Sequence, residues 1–467
     1  MSIPCSQART FALFAGLIGF GVAGFAPQIF HDGDSWWHLA AGGWMLDTHA
    51  VLKSDVFSFT FFGQPWDAHE WLSEVLMAAV YRLDGWSGEH ILFGLAAGAA
   101  AAVVAGHVRG QIAALPAALV SLLGLASLSG SLLARPHLLA LPLLALWTSG
   151  LLNARSEARS PRLWLAGIML VWANLHGSFV FGLALAGAFA LEAVMAARGA
   201  WKDWSIFLAA CVVAAAVTPQ GVNGLIFPFK LLMLGSLRNV GEWAPTSLTS
   251  PSPFLIALAG LTWLAVTRKL SLSPLRILIL AGLAWLALSH VRHQMIFGIV
   301  GAMLVAEGLR RAYPDDARTL PAWLMPLGAG LLALLIAVRA PAPTVRGDDR
   351  VTPMTALERV PVALRSQPVL NAYDFGGYLI FSGVKVFVDG RTDMYGDAFL
   401  ADYDRAMQPD RQALSAALEK WHIGWSILPP GPAAQMMDAM PGWHRVYGDQ
   451  FAVVSVKEQV GSPGQAR

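Results

Sequence analysis

Apolar runs of about eighteen residues recur from Phe11 to about Val338, and nothing else in this chain constrains its fold as strongly. A helix of that length spans the roughly 30 Å hydrocarbon core of a bilayer, so repeated runs imply a bundle of membrane helices. The runs fall at 11–30, 89–107, 113–132, 137–152, 163–176, 178–197, 204–218, 252–267, 274–290, 294–309 and 321–339, about eleven spans. Of the 467 residues 13% are charged and 56% hydrophobic, whereas a soluble domain carries about 25% charged residues. From about Pro341 the composition becomes that of a soluble domain. The fold class expected is a polytopic α-helical membrane protein, with a transmembrane domain over 1–340 and a small α/β domain over 341–467.

The stretch 68–83, AHEWLSEVLMAAVYRL, is apolar but short. Sixteen helical residues cover only about 24 Å. Its stripe Leu72, Val75, Leu76, Ala79, Val80 and Leu83 is one-sided, with Glu70, Ser73 and Glu74 opposite. It reads as a helix lying in the interface. With the helix that begins near Ser35, the first outer loop, 31–88, then holds two interfacial helices.

Charge sets the orientation. With the N-terminus inside and eleven spans, the inner segments carry thirteen Lys and Arg and the outer ones before the last domain seven. Counting 68–83 as a span would put NARSEARSPR outside. A signal peptide after Arg9 is disfavoured by the many spans that follow. The net charge of +2 gives no support to nucleic acid as a partner. The two cysteines, Cys5 before the first span and Cys211 inside a later one, leave the redox compartment unread.

This orientation puts seven polar motifs on the outer side: HDGDSWWH (31–38), DAHEW (67–71), ARPH (134–137), NLHG (174–177), TPQGVNG (218–224), RNVGEWAP (238–245) and SHVRHQ (289–294). The C-terminal domain lands there too. Seven patches on one face suggest one shared polar cavity. Asp34 is the natural N-cap of a helix starting at Ser35. Capping accounts for neither Asp32 nor His31 and His38. An Asp-x-Asp pair can place a base or hold a divalent cation, Mg or Mn, with His69 as a candidate third ligand. Trp36 and Trp37 suit a membrane-interface belt, or a stacking face for a sugar ring. His69-Glu70 is not a His-Glu-x-x-His motif, because Ser73 stands where the second histidine belongs, so a zinc protease is disfavoured. Arg135, Arg292 and Arg238 could snorkel to headgroups or grip a lipid phosphate in bidentate fashion. His31, His38, His69, Glu70, His137, Asn174, His176 and His293 add polar reach in the same layer.

In the C-terminal domain, VLNAYD reads as a strand with a helix starting at Asp374, followed by the strand VKVFVD (384–389). WHIGWSILPP is a further strand and HRVYGDQFAVVSV a closing hairpin. Gly376-Gly377 lacks the G-x-G-x-x-G dinucleotide pattern. Asp389, Arg391, Asp393 and Tyr395 cluster at a strand end, either as a structural turn or as a loop that meets an acceptor or covers the cavity.

The layout of an acidic motif after an N-in first span, a two-helix outer loop, many further spans and an outer C-terminal domain resembles GT-C-type glycosyltransferases. The strings DGDSWWHLAAGGWML, PWDAHEWLSEVL, ARPHL, ANLHGSF, GEWAP and DGRTDMYG also resemble a group of bacterial polytopic membrane proteins tied to that class by layout. The resemblance covers nearly the whole chain. It implies a GT-C-like fold in a bacterial inner membrane, with a cytoplasmic N-terminus and an extracytoplasmic C-terminal domain. It implies transfer of a sugar from a polyprenyl-phosphate carrier to a glycan or protein acceptor, with inversion. Asp34 or Asp32 is then the base, and Arg135 and Arg292 stabilise the leaving phosphate. A non-catalytic assembly or sensing protein, a transporter of lipid-linked glycans and a metal hydrolase using the histidines remain open alternatives. Polar residues at one edge and the lack of paired halves count against the transporter.

Overall fold

The computed structural model describes residues 5–239, 241–315 and 321–458, with the side chains of residues 5, 6, 238 and 239 outside that description. The chain divides into two compact units. One, all-helical, comprises Met1–Ile29, His69–Leu232 and Arg238–Thr344; the other, of α/β type, comprises Phe30–Ala68, Met233–Leu237 and Val345–Arg467. This division differs from a single cut at about 340, because the stretch 30–68 belongs by its contacts with the C-terminal residues.

In the helical unit, six helices among the described residues are long and apolar enough to cross a membrane: Gln7–Phe25, Trp71–Arg109, Ala114–Ser131, Pro136–Ser156, Phe179–Ala196 and Arg198–Ala216. Shorter apolar helices occupy Leu163–Leu175, Val222–Leu231, Pro253–Val266, Pro274–Ser289 and Leu324–Arg339. Length and composition thus support six spans, where about eleven are expected from the runs. The starts are legible in sequence. Pro136, Pro253 and Pro274 open their helices, where a missing N–H costs nothing, and Ser252 and Ser273 cap the amides of Leu255 and Arg276. The expected run at 294–309 is interrupted by a π-helix, Phe297–Gly301, between Gln294–Ile296 and Ala302–Leu309.

The segment expected as a separate interfacial helix at 68–83 is joined to the next span. Trp71–Arg109 is interrupted only at Asp84 and Gly85, the latter at φ 54°. The same helix lies close against the first one through small residues. A methyl group on Gly19 would sit 2.9 Å from the Ala101 Cβ, and one on Gly98 2.8 Å from the Gly16 carbonyl oxygen. Such contacts replace the hydrophobic drive that helices in lipid lack. One charge cluster of the bundle is paired: Glu192 accepts from Arg155 Nε at 3.1 Å and from Arg276 Nε at 2.8 Å.

The α/β unit is built on a four-stranded sheet of order β1-β2-β4-β3, with β1 Val369–Asn371, β2 Trp425–Leu428, β3 Trp443–Gly448 and β4 Val453–Lys457. β1 and β2 are parallel, and β4 is antiparallel to both neighbours. The expected strand at 384–389 does not join this sheet. Val386 instead forms a single bridge with Ser58, donating to the Phe57 carbonyl and accepting from the Phe59 amide, each at 3.1 Å. Its partner lies more than three hundred residues upstream, beyond what local pattern can show.

Candidate functional site

Within the helical unit, several of the expected polar residues converge, each at or beside a helix end. Glu70 precedes Trp71–Arg109, His137 lies in the first turn of Pro136–Ser156, and His176 follows Ala166–Leu175. Arg292 and His293 occupy the turn Val291–His293. His69, Glu70, His137, His176, Trp243, Arg292 and His293 line a cavity of about 130 Å³, with Phe181, Phe227 and Ile296 among its apolar walls.

Glu70 is held from one side. The Ser178 amide donates to His176 Nδ1 at 3.0 Å, which leaves the proton of a neutral ring on Nε2. That Nε2 is 3.3 Å from Glu70 Oε1, while His69 Nε2 is 3.7 Å from the same oxygen. Trp172 Nε1 donates to Ser178 Oγ at 3.0 Å, so the chain of polar contacts ends in a buried indole. His137 has its Nε2 2.7 Å from the Ser131 carbonyl oxygen, and its ring centre is 6.2 Å from that of His176. Asn174 is a brace: its amide donates to the Leu170 and Val217 carbonyls at 2.8 and 2.9 Å and its oxygen accepts from Trp71 Nε1 at 2.8 Å. With both ends committed, it lends little polar reach to a substrate.

Arg135, at the cap of Pro136–Ser156, and Arg292, in the turn Val291–His293, meet on one carboxylate oxygen. Arg135 Nη1 is 3.2 Å and Arg292 Nη1 3.7 Å from Glu242 Oε1, and the Arg292 guanidinium lies 4.3 Å from the centre of the Trp243 ring. Burial opposes ionisation of Glu242, but the two guanidiniums hold its carboxyl below the usual carboxylate range. Two arginines converging on an acceptor oxygen make a site for a doubly contacted anion. The sequence places Glu242 in a polar patch without singling it out; an acidic residue in an Arg-bearing stretch is the available signal. Arg238 falls outside the described side chains.

The opening motif lies in the α/β unit. The helix Asp34–Thr48 starts at Asp34, and the cap position belongs to Gly33. Asp34 therefore does not cap the helix: its Oδ1 accepts from Trp37 Nε1 at 2.9 Å. Asp32 is buried, with Ser35 Oγ at 3.4 Å from its Oδ2. His38 is buried with its ring 3.6 Å from that of Trp37, and His31 is exposed. Trp36 and Trp37 are core residues rather than a belt or a sugar platform, with relative exposures of 2% and 6%. Trp36 donates to Thr352 Oγ1 at 3.1 Å and packs on Tyr378 and Phe381.

Glycines let this motif approach two others. A methyl group on Gly377 would lie 2.0 Å from the Gly33 oxygen, and one on Gly390 1.8 Å from Asp34 Oδ1. At Gly377 the obstacle is backbone and no side chain fits, whereas at Gly390 a side chain would have to displace the Asp34 carboxylate. Asp389, Arg391 and Tyr395, for which a structural turn and an acceptor-meeting loop both stood open, are buried and satisfy one another. Arg391 donates to Asp389 from Nε at 2.8 Å and Nη2 at 2.6 Å, and to Asp55 from Nη1 at 2.6 Å. Tyr395 donates to Asp389 at 2.7 Å. The physical reason is local: a guanidinium with no exposed surface needs both carboxylates. Asp393 accepts from Trp66 Nε1 at 3.2 Å, and burial raises its carboxyl from 3.8 to about 6 against the pull of Arg391.

Among the described residues, no group of three or more His, Cys, Asp and Glu side chains is gathered tightly enough to hold a metal ion. His69, the expected third ligand, faces Glu70 in the helical unit.

No family model matches the chain, and no curated protein matches it. Among solved structures, the crystal structure of the Archaeoglobus fulgidus oligosaccharyltransferase in the apo form aligns with a TM-score of 0.54 at 10% identity. The alignment covers 97% of this chain and 75% of that one. The protein therefore shares the fold of that oligosaccharyltransferase, in agreement with the fold that the sequence resemblance implies.

Proposed function

We propose that the protein is a membrane glycosyltransferase that moves a sugar from a polyprenyl-phosphate carrier to a glycan or protein acceptor on the outer face of a bacterial inner membrane. The convergence of Arg135 and Arg292 beside a His- and Glu-lined cavity carries this reading. The fold shared with an oligosaccharyltransferase supports it. The acceptor hydroxyl attacks the anomeric carbon, the bond from that carbon to the phosphate oxygen breaks, and the configuration inverts. The acceptor proton goes to a carboxylate, which we assign to Asp34, with Asp32 beside it in sequence. Glu70, oriented by His176, is the second candidate. The leaving phosphate is a stable anion, and the two guanidiniums, once released from Glu242, stabilise its charge.

A Mg or Mn ion at Asp32 and Asp34 stays a proposal from the sequence: Asp32 lies against Ser35, Asp34 accepts from Trp37, and no group of three ligating side chains gathers among the described residues, so no step is routed through an ion. We also assign spans to Leu163–Leu175, Pro253–Val266, Pro274–Ser289, 294–309 and Leu324–Arg339, for about eleven in total with the N-terminus inside.

Mass spectrometry of glycans and lipid-linked sugars in the native bacterium tests the reading. The strains are wild type, a deletion, Asp34→Asn and Arg135→Ala with Arg292→Ala, with membrane levels of the protein checked. The expected result is one glycan that loses a sugar while the matching carrier lipid accumulates in all three mutants. The packing of Asp34 on Gly390 favours a second reading, in which the opening motif is structural. A deletion phenotype that Asp34→Asn does not reproduce would establish it.

A further inference from the structure

The α/β unit carries a cleft of about 440 Å³ that the transfer chemistry does not use. It lies between the helices Thr392–Met407 and Arg411–Lys420, over the end of the segment 384–387. Its size falls in the range of small-molecule sites, about 300–1,000 Å³.

Its floor is aromatic. Phe387 and Phe399 stack with ring centres 5.4 Å apart and 27° between planes. Trp421 stands at 79° to Phe387 and 82° to Phe399, with centres 5.8 and 6.2 Å away. The three rings form a corner, and Phe399 and Trp421 are only partly buried. The rim is polar: Asp402, Arg405, Asp410, Gln412 and Lys420. Asp402 pairs with Arg405, and Asp410 caps the second helix by accepting from the Ala413 amide at 2.9 Å. Two acids and two bases leave the rim without net charge, which gives an anionic ligand no advantage. An apolar chain would leave the rim unsatisfied.

We propose that this cleft binds a neutral saccharide segment. One face of a pyranose ring, made of C–H groups, would lie on the partly exposed Trp421 indole, which the buried Phe387 and the Phe399 ring stacked between Phe387 and Tyr395 hold in place. Its hydroxyls would meet Gln412, which offers both donor and acceptor, and the rim carboxylates. The assignment of that segment to the acceptor glycan rests on the transferase reading; the site itself does not.

The test is saturation-transfer NMR on the full chain in nanodiscs, without donor lipid. The probes are mannotetraose, chitotetraose and, as a control of another class, penta-alanine. The expected result is transfer to ring C–H protons of at least one tetrasaccharide. Affinity should drop at least tenfold in Trp421→Ala and about fivefold in Gln412→Ala, an exposed position whose substitution leaves folding intact. Absence of transfer to both sugars, transfer that survives both substitutions, or binding of penta-alanine alone would overturn the proposal. Sugar binding that persists in a protein without transferase activity would leave this site standing and remove the enzymatic reading instead.

Discussion

The Asp34 carboxylate rests against the backbone of Gly390, so closely that a methyl group there would lie 1.8 Å from Oδ1. Two motifs separated by most of the chain are thus fitted to each other within one unit. Gly390→Ala should therefore destabilise the α/β unit by about 1–3 kcal/mol, because the methyl group displaces the Asp34 carboxylate from its hydrogen bond with Trp37 Nε1. Thermal unfolding of the full chain in detergent measures it. Gly347, in the same unit, has nothing within 4 Å of an added methyl and is not at a positive φ, so Gly347→Ala should leave the melting temperature unchanged.

Arg391 is the second point of stability. Arg391→Ala leaves Asp389 and Asp55 buried without their shared cation. Breaking such a group from one side costs about 3–5 kcal/mol. Limited proteolysis of the full chain should show early cleavage within 341–458, and Arg391→Lys should recover only part of the loss because an ammonium cannot make the forked contact.

Asp393 makes stability depend on pH. Its folded-state value, about 6, lies above the ordinary 3.8. The folded state therefore binds the proton more tightly, and the associated stability is full below 3.8 and is lost as pH rises through about 6. The two values imply a loss of about 3 kcal/mol across that window. Asp393→Asn should remove this slope and be the more stable protein at pH 7. Melting temperatures of both proteins between pH 4 and pH 7 check it, and parallel curves would rule the assignment out.

In the proposed transfer reaction the arginine pair contacts the donor phosphate. Arg135→Ala and Arg292→Ala should each lower transfer about 100-fold, roughly 3 kcal/mol of lost transition-state stabilisation. Glu242→Gln should act in the opposite sense on binding, because it removes the carboxylate that holds the pair. A donor KM lower by about tenfold, or about 1.4 kcal/mol, is expected from steady-state kinetics with a defined polyprenyl-phosphate sugar.

The two candidate bases separate kinetically. Loss of a general base lowers kcat by about 10²–10⁴-fold. Asp34→Asn should do so with the melting temperature within a few degrees of wild type, while Glu70→Gln should change KM more than kcat. The reverse pattern would transfer the role to Glu70. Chelation with EDTA followed by re-addition of Mg or Mn, applied to the wild-type protein, reports whether transfer needs the ion.

Much of the helical unit is legible in the chain. Apolar runs locate its helices within a few residues, and Pro136, Pro253 and Pro274 mark their starts. β2 and the hairpin of β3 with β4 are also readable, because short runs rich in aromatic and β-branched residues are bounded by turn residues within one short window. The segment 384–389 is not, since its hydrogen-bond partner is at 57–59. Of the expected polar layer, His69, Glu70, His137, His176, Arg292 and His293 line one cavity. Glu242 escapes notice because its meaning depends on which cations reach it.

Hydropathy is summed over a run and needs no partner, so the linear chain already marks where its apolar helices lie. Caps and prolines act within a turn, so it also fixes where helices begin. It holds nothing to say that Asp34 serves as a contact for Gly390 and Trp37, that Arg391 lies between two carboxylates, or that Arg135 and Arg292 share one oxygen. Folding alone settles those outcomes, because they depend on distances of a few ångströms between residues far apart in the chain, and a local pattern keeps no record of them.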